Sequence, residues 1–222
     1  MHATRFMRAI GAALLAAISM MAIGSSAAQA ELVVEGQPPA HRTLNGIVVG
    51  QRTLRATGGA QINCPNGGTI LALALVDNII HTTRLYEGCN AVGSNCPVYE
   101  TSKEAALRIN PGNWVEKTLA IFAESEGKHY LVSQESKEPI ATLYFDELCA
   151  LPAELKLTGT VAFKAPDILE KLVKHTLEPV SEKEAEKLKV GLTLGAKKAF
   201  LEGGKEELEL TGKEAGLKWW LK

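Results

Sequence analysis

Alternation between apolar and polar residues is the dominant pattern of this chain, and it is clearest between Leu155 and Lys164. The apolar positions of that stretch share one side of an extended backbone and are Leu155, Leu157, Val161 and Phe163. A period of two over this length predicts a β-strand with one buried face and one solvated face. Gly159 takes a place on the apolar side, which predicts a bulge or a close approach of backbones there.

Other segments show strand-like patterns of the same kind. Apolar residues alternate with polar residues over Leu188–Leu194, and apolar runs occur at Leu119–Ala123 and Ile140–Phe145. The run Thr69–Ile80 is compatible by periodicity with a buried helix. Because a Gly-Gly pair opens this run and Asp77 interrupts it, we interpret it as a strand or a pair of strands.

Turn and helix signals punctuate these runs. Asn45-Gly46 lies between apolar residues and predicts a tight turn, because both residue types tolerate positive φ. Gly203-Gly204 separates two apolar runs and predicts a hairpin. A capping Asp167 followed three residues later by a glutamate predicts a short helix over residues 167–175.

Together these patterns predict an all-β fold, a two-layer β-sandwich of Greek-key or jelly-roll type with one short helix. Residues 31–222 are expected to form this domain. Residues 166–187 mark a possible sub-boundary, because β-rich segments lie on both sides of them. Within that stretch, Ser181–Lys187 is rich in charge, contains a Ser-x-x-Glu pattern and indicates a solvated loop or a helical turn.

The first thirty residues differ in composition from the rest. Arg5 and Arg8 precede an apolar run over residues 9–24, and an Ala-x-Ala site follows just before Glu31. This order predicts that residues 1–30 are a removed signal peptide, with an uncleaved anchor as the alternative. The run is shorter than the roughly 20 residues that a membrane span needs, and no later run approaches that length. We therefore predict a secreted, extracellular or cell-envelope protein with no membrane span in the mature chain.

The charge balance excludes one class of partner. The chain contains 24 basic and 25 acidic residues, for a formal net charge of −1, and loss of Arg5 and Arg8 with the signal peptide would change −1 to −3. A nucleic-acid-binding surface requires a clear excess of basic residues. We predict no nucleic-acid partner.

Four cysteines, Cys64, Cys89, Cys96 and Cys149, follow the predicted export signal. In an oxidising compartment they indicate two disulfides, which four cysteines can form in three ways. We favour Cys89–Cys96 with Cys64–Cys149, and the next choice is Cys64–Cys89 with Cys96–Cys149. A zinc site is the competing use, but the chain has neither a Cys-x-x-Cys motif nor paired histidines.

Short motifs around the cysteines and near the C-terminus carry a resemblance to a known group. They are Ile62-x-Cys64, Tyr86-Glu87-Gly88-Cys89, Cys96-Pro97-Val98-Tyr99-Glu100-Thr101, Cys149-Ala150-Leu151, Leu208-x-Leu210-Thr211-Gly212 and Gly216-x-x-Trp219. In this order the chain resembles exported proteins of unknown function that occur in many copies in soil actinobacteria. The resemblance covers most of the chain after the signal peptide. It implies a secreted, β-rich, cysteine-bridged protein and brings no reaction or site residues.

Candidate catalytic residues are sparse. The chain contains no Gly-x-Ser-x-Gly elbow, His-Glu-x-x-His pair, phosphate-binding glycine loop or EF-hand spacing. Asp77 and Asp146 could form the carboxylate pair of a glycosidase, but with 25 acidic residues present, solvated acids are the simpler interpretation. The histidines after the signal peptide are isolated, and we interpret them as surface or packing residues; they are His41, His81, His129 and His175. We predict no catalytic residue, no metal site and no cofactor.

The tryptophans offer one possible binding chemistry. Trp219 and Trp220 are adjacent, so on a strand one ring would enter the core and the other would face solvent or a partner. Trp220 and Trp114 are the candidate ligand-stacking residues, because an exposed indole can stack on a sugar ring. The alternative is that Trp219 fills the core and Trp220 packs under a loop, since aromatic residues dominate cores as well as interfaces. An aromatic content of 5% is low for a sugar-binding surface.

Three functional hypotheses follow from these observations. The leading one is a non-enzymatic extracellular or envelope-associated module that has a structural or binding role. The alternative is a secreted carbohydrate-binding module or glycan-active enzyme that uses Trp114 or Trp220 with Asp77 or Asp146. A third, which sequence does not separate from the first, is an inhibitor or adhesin with an exposed loop at Asn90–Asn95. Possible partners are a cell-wall or extracellular glycan or a protein.

Overall fold

The structure is a computed structural model that describes residues 31–38, 40–74, 79–91, 96–99, 112–133, 138–147 and 149–222. The predicted signal peptide, residues 1–30, lies outside the described residues, as do Asp77 and most of the loop Asn90–Asn95. Among the helices in the described part of the chain, none is both long enough and apolar enough to cross a membrane.

The described residues form strands β1 to β18, one α-helix and one 3₁₀ turn. The strands are β1 (Leu32–Val34), β2 (Arg42–Val49), β3 (Arg52–Ala56), β4 (Gln61–Cys64), β5 (Gly68–Ala74), β6 (Ile79–Tyr86), β7 (Asn90–Ala91), β8 (Cys96–Pro97), β9 (Trp114–Ser125), β10 (Lys128–Ser133), β11 (Ala141–Tyr144), β12 (Glu154–Gly159), β13 (Ala162–Lys164), β14 (Lys174–Pro179), β15 (Leu192–Leu194), β16 (Lys197–Glu202), β17 (Lys205–Leu210) and β18 (Trp219–Leu221). The helix is α1 (Glu182–Lys187), and the 3₁₀ turn is Gly212–Glu214.

The predicted all-β class is confirmed, but the sheets do not form a clear two-layer sandwich. Eight strands close into a barrel in the order β10-β13-β14-β17-β2-β5-β6-β9. A second eight-stranded sheet runs β11-β12-β15-β16-β3-β4-β7-β8, and β1 pairs separately with β18. Alternation shows only that a strand has one buried face. It does not report whether the sheet closes on itself, so it did not distinguish a barrel from a sandwich.

The two sheets share one hydrophobic core because the chain passes repeatedly between them. β16 pairs with β15 and β3 in the second sheet, whereas β17 pairs with β14 and β2 in the barrel. The hairpin predicted at Gly203-Gly204 is therefore wrong. Both glycines have positive φ, 68° and 60°, and they turn the chain from one sheet into the other. Phe163 and Leu192, on either side of residues 166–187, belong to the same core.

The tight turn predicted at Asn45-Gly46 is also wrong. Both residues lie inside β2, and the chain bends after this strand at Gly50, where φ is 86°. Gly46 lies opposite Leu208 of β17, and a Cβ at Gly46 would be 2.5 Å from Leu208 Cδ2 and 2.6 Å from the Glu207 carbonyl oxygen. The glycine thus permits the close approach of two barrel strands.

Gly159 confirms the prediction of a close approach on the apolar side of its strand. Its φ is 101°, and a Cβ there would collide with the carbonyl oxygen of Gly191. The N–H of the next residue, Thr160, donates to that same oxygen at 2.8 Å. The break at Gly159 ends β12 in the second sheet and lets the chain continue as β13 in the barrel.

The helix predicted over residues 167–175 is wrong, and the helix lies further along the chain. Residues 166–169 form a turn, and β14 begins at Lys174. The Asp167 carboxylate accepts hydrogen bonds from the Thr176 backbone N–H at 3.1 and 3.2 Å. This acid therefore ties the turn to β14, whereas α1 occupies the stretch that contains the Ser-x-x-Glu pattern.

Ser181 caps α1. Its hydroxyl accepts from the Glu184 N–H at 3.3 Å, and the Glu184 carboxylate accepts from the Ser181 N–H at 3.2 Å. We expect Ser181→Ala to lower the free energy of unfolding by about 1 kcal/mol, because an amide of the first turn loses its acceptor. Denaturant titration measures this loss. Ser181→Asp, which retains a capping oxygen, should lose much less, and an equal loss in both variants would contradict the capping role.

All four cysteines form disulfides, but the favoured pairing is wrong and the second choice is found. The bonds are Cys64–Cys89 and Cys96–Cys149. β4 pairs with β7, which places the end of β4 beside the start of β7 and so brings Cys64 to Cys89. A bridge between Tyr99 and Tyr144 brings the segment after Cys96 to the segment before Cys149. Sheet pairing, and not loop length, decides the connectivity.

Candidate functional site

Four buried charged side chains contact one another in the core, and we call them the ionic cluster: Arg52, Arg84, Glu116 and Glu206. Each is at most 1% exposed. Arg84 points inward from β6, Glu116 from β9 and Glu206 from β17, while Arg52 opens β3 at the junction with the second sheet. Two positive and two negative charges are therefore enclosed together.

Arg84 occupies the centre of the ionic cluster. Its Nε donates to both carboxylate oxygens of Glu206, at 3.0 and 3.1 Å, and its Nη1 donates to Glu116 Oε1 at 3.0 Å. Nη1 also donates to the Thr82 hydroxyl at 2.9 Å. The guanidinium carbon lies 4.3 Å from the ring centroid of Phe163, within cation–π range. These charge-assisted contacts fix the guanidinium in one orientation.

Each carboxylate of the ionic cluster joins two donors. Glu206 Oε1 also accepts from Arg52 Nη2 at 3.1 Å, and Glu116 Oε2 accepts from the Tyr86 hydroxyl at 3.1 Å. The Tyr86 ring stacks on Trp114, with centroids 4.4 Å apart. Arg52 is less completely paired, since its Nε and Nη1 are buried without a hydrogen-bond partner among the described residues. Among the described residues, Glu206 is therefore the carboxylate that compensates the positive charge of Arg52.

Burial and neighbouring charges shift the pKa values of Glu116, Arg84 and Tyr86. Burial raises the pKa of Glu116 and outweighs the lowering effect of Arg84, while Glu206 adds to the rise. Burial lowers the pKa of Arg84, but the carboxylates of Glu206 and Glu116 outweigh it, so the net shift is upward. Burial, followed by the charge of Glu116, raises the pKa of Tyr86 well above its usual 10.0. Arg84 therefore stays charged and Tyr86 stays protonated in the folded protein.

The raised pKa of Tyr86 predicts a loss of stability in alkali. A group whose pKa is higher in the folded than in the unfolded state contributes its full stability below the unfolded value, here about 10, and loses it as the pH rises further. Above pH 10 the free energy of unfolding should fall more steeply in the wild type than in Tyr86→Phe, by about 1.4 kcal/mol per pH unit. Denaturant titrations between pH 8 and 11 measure the two slopes, and equal slopes would contradict the prediction.

The ionic cluster has the composition of a catalytic site, but each of its side chains is buried. A cleft of about 200 Å³ lies beside α1 and is lined by residues that include Tyr130, Glu184 and Lys187. A smaller cavity of about 30 Å³ lies between Val161 and Phe200. Neither is lined by a member of the ionic cluster, whose carboxylates instead bind arginine and tyrosine side chains. The arrangement can link strands β3, β6, β9 and β17.

The two tryptophans that were predicted to stack on a ligand, Trp114 and Trp220, differ in exposure. Trp114 is fully buried, which removes it as a sugar-stacking platform. Trp219 is also buried, whereas Trp220 is half-buried on the other side of β18. The Lys171 ammonium lies 4.8 Å from the Trp220 ring centroid, a cation–π distance, so one face of this ring already has a partner.

The other candidate residues do not meet in one site. Asp146 accepts a hydrogen bond from the Tyr99 hydroxyl at 3.0 Å, and Asp77 lies outside the described residues. His175 is fully buried and its Nε2 donates to the Trp219 carbonyl oxygen at 2.6 Å, so it holds the C-terminal strand. Across the described ranges, no group of three or more His, Cys, Asp or Glu side chains could hold a metal ion.

No protein family, curated protein or solved structure matches this chain.

Proposed function

We propose that this chain is an exported, non-enzymatic module that acts by contact, outside the cell or in the cell envelope. The observation that carries the proposal is that the four charges of the ionic cluster are buried and paired with one another. General acids, bases and nucleophiles must reach a substrate atom. Here the carboxylate oxygens are occupied by Arg52, Arg84 and Tyr86. The charges serve the architecture of the barrel.

The two disulfides support the export part of the proposal. Disulfides persist in oxidising compartments and are rare where glutathione keeps thiols reduced. None of the four cysteines is free. The signal peptide predicted over residues 1–30 points to the same compartment.

Expression of the full chain in a bacterial host with a functional secretion pathway tests this proposal. We expect the recovered protein to begin at Glu31 and to contain no titratable thiol until it is reduced. A chain that keeps Met1 and titrates four thiols would contradict export. Catalytic turnover that disappears in Glu116→Gln, while the fold is retained, would contradict the non-enzymatic role.

A second candidate function is carbohydrate binding, which the partial exposure of Trp220 favours. A single indole with Lys171 against its ring is a small platform for a sugar. On a glycan array we expect no retained glycan. Retention by the wild type that is lost in Trp220→Ala would replace the first proposal with this one.

A further inference from the structure

The chain contains two Asn-Gly pairs, and their surroundings differ. They are Asn45-Gly46 and Asn66-Gly67. Both asparagines are exposed, so access to water does not distinguish them. In an Asn-Gly pair the asparagine side chain reacts readily with the next backbone nitrogen, because glycine has no side chain that obstructs the approach. Whether the reaction occurs in the folded protein depends on whether that nitrogen can reach the side-chain carbonyl carbon.

Strand β2 holds the first pair in the wall of the barrel. Gly46 lies opposite Ile70 of β5 on one side and Leu208 of β17 on the other. The backbone N–H groups of a strand between two partners are engaged in the sheet, and the extended backbone holds the following nitrogen away from the side chain. The Asn45 side chain therefore reaches the Gly46 nitrogen only when this part of the barrel opens, which costs a large share of the free energy of unfolding.

The second pair lies in a turn that connects the second sheet to the barrel. β4 ends at Cys64 and β5 begins at Gly68. Proline at the second position of the turn and glycine at the fourth are typical of a type I turn, and the Gly67 N–H donates to the Cys64 carbonyl oxygen across it. The donor–acceptor distance of 3.4 Å is longer than the usual range of about 2.7 to 3.2 Å. This hydrogen bond is therefore a weak restraint on the nitrogen that would react.

The Asn66 side chain has no polar partner that fixes its orientation. Its amide lies over Gly88, where a Cβ would be 2.5 Å from Asn66 Nδ2, but it makes no hydrogen bond with another described residue. The Gly67 carbonyl oxygen accepts from the Glu87 N–H at 3.2 Å, so the chain beyond the turn stays attached while the Asn66–Gly67 peptide rotates. Rotation of this peptide breaks no strand pairing, and local motion of this kind costs much less than opening of a barrel strand.

We propose that Asn66 is a site of spontaneous deamidation and that the fold protects Asn45 from the same reaction. The Gly67 backbone nitrogen loses its proton to a base in solution and bonds to Asn66 Cγ, and the Nδ2 group takes up a proton and leaves as ammonia. Water then opens the five-membered imide. Opening at Cγ gives aspartate, whereas opening at the backbone carbonyl carbon gives isoaspartate. One water is consumed and one ammonia is released, without oxidation or reduction.

The reaction changes both the charge and the length of the turn. Aspartate and isoaspartate each carry a carboxylate in place of the neutral amide, and isoaspartate adds one methylene to the main chain. Cys64, two residues before Asn66, is bonded to Cys89, which follows the glycine beneath the Asn66 amide. The disulfide therefore links the two segments that meet at the turn, and we expect the modified protein to stay folded.

Peptide mapping of the exported chain after incubation at mildly alkaline pH tests the proposal. Mass spectrometry detects the loss of the amide, chromatography separates isoaspartate from aspartate, and H₂¹⁸O labels the molecules that react during incubation. In the folded protein Asn66 should react at least about tenfold faster than Asn45, since Asn45 requires opening of the barrel. In the reduced chain in denaturant the two rates should differ less than about threefold, because the following glycine is then the shared determinant.

Two glutamine variants are matched controls, because glutamine would have to form a six-membered ring and reacts far more slowly. Asn66→Gln should remove the earliest acidic form that ion-exchange chromatography separates from fresh protein, and Asn45→Gln should leave the rate of its formation unchanged. Gly67 is kept in both variants, since a Cβ there would be 2.2 Å from the Val48 carbonyl oxygen. Both variants should melt at the wild-type temperature.

A rate ratio below about tenfold in the folded protein overturns the proposal. The same conclusion follows if Asn66 stays intact while the denatured chain reacts, or if the acidic form persists in Asn66→Gln. None of these results affects the proposed function, which depends on export and on the absence of turnover and is tested by thiol titration and activity assays.

Discussion

Glu206→Gln should lower the free energy of unfolding by about 3 to 5 kcal/mol, because it leaves two buried guanidinium groups with one carboxylate between them. Arg84 would keep Glu116, but Arg52 would lose its only ion-pair partner among the described residues. Burial in a region of low dielectric makes an uncompensated charge costly. Such a loss is a large fraction of the stability of an ordinary domain.

Denaturant titration at pH 7 measures this effect against two informative variants. Glu207→Gln changes the next residue of β17, whose side chain faces outward, and should alter stability by no more than about 0.5 kcal/mol. Glu206→Gln with Arg52→Met removes one charge of each sign, so it should be less destabilised than the sum of the single changes. A loss below 1 kcal/mol for Glu206→Gln would show that the cluster does not stabilise the barrel.

Removal of either disulfide is the second large expected effect. Cys96 and Cys149 are separated by 53 residues, and Cys64 and Cys89 by 25. Loss of the loop-closure constraint on the unfolded chain predicts destabilisation by about 4 kcal/mol for the first bond and about 3.5 kcal/mol for the second. Paired cysteine-to-alanine variants, compared by denaturant titration, measure both values. Losses below 1 kcal/mol in both variants would contradict the prediction.

The disulfide pairing itself has a direct chemical test. Proteolysis without reduction should release one peptide pair that contains Cys64 and Cys89 and another that contains Cys96 and Cys149. A peptide pair that joins Cys89 to Cys96 would contradict the strand pairing of β4 with β7.

Local patterns predicted individual strands well, because burial of one face leaves a direct trace in the sequence. The run Thr69–Ile80 covers most of β5 and the first two residues of β6, and Gly159 makes the close backbone contact that its position indicated. Closure of the barrel depends on which strands become neighbours, and no residue pattern reports that. Gly46 shows the same limit, because the sequence does not distinguish a glycine that close packing requires from a glycine that a turn requires.

The ionic cluster was missed although a signal for it exists. Along β17, Glu206 shares its side of the strand with Leu208 and Leu210, and the burial pattern of that strand confirms the shared face. Arg84 lies in the same way between Thr82 and Tyr86 on the inner face of β6. A charged residue at a position that alternation assigns to the core indicates a buried ion pair. The identity of its partner depends on strands that are distant in sequence.

The ionic cluster is sealed from solvent and serves the fold. Hydrogen exchange at the arginine Nε–H groups, followed by NMR, tests this claim most directly. Arg55 is the matched reference, because its Nε donates to Glu202 at 3.1 Å while its side chain is 39% exposed. The Arg84 Nε–H, enclosed with Glu206, should exchange at least about 1,000-fold more slowly than that of Arg55, since exchange requires opening of the barrel. Exchange at Arg84 within about tenfold of that at Arg55 would mean that water reaches the cluster easily, and it would contradict the claim.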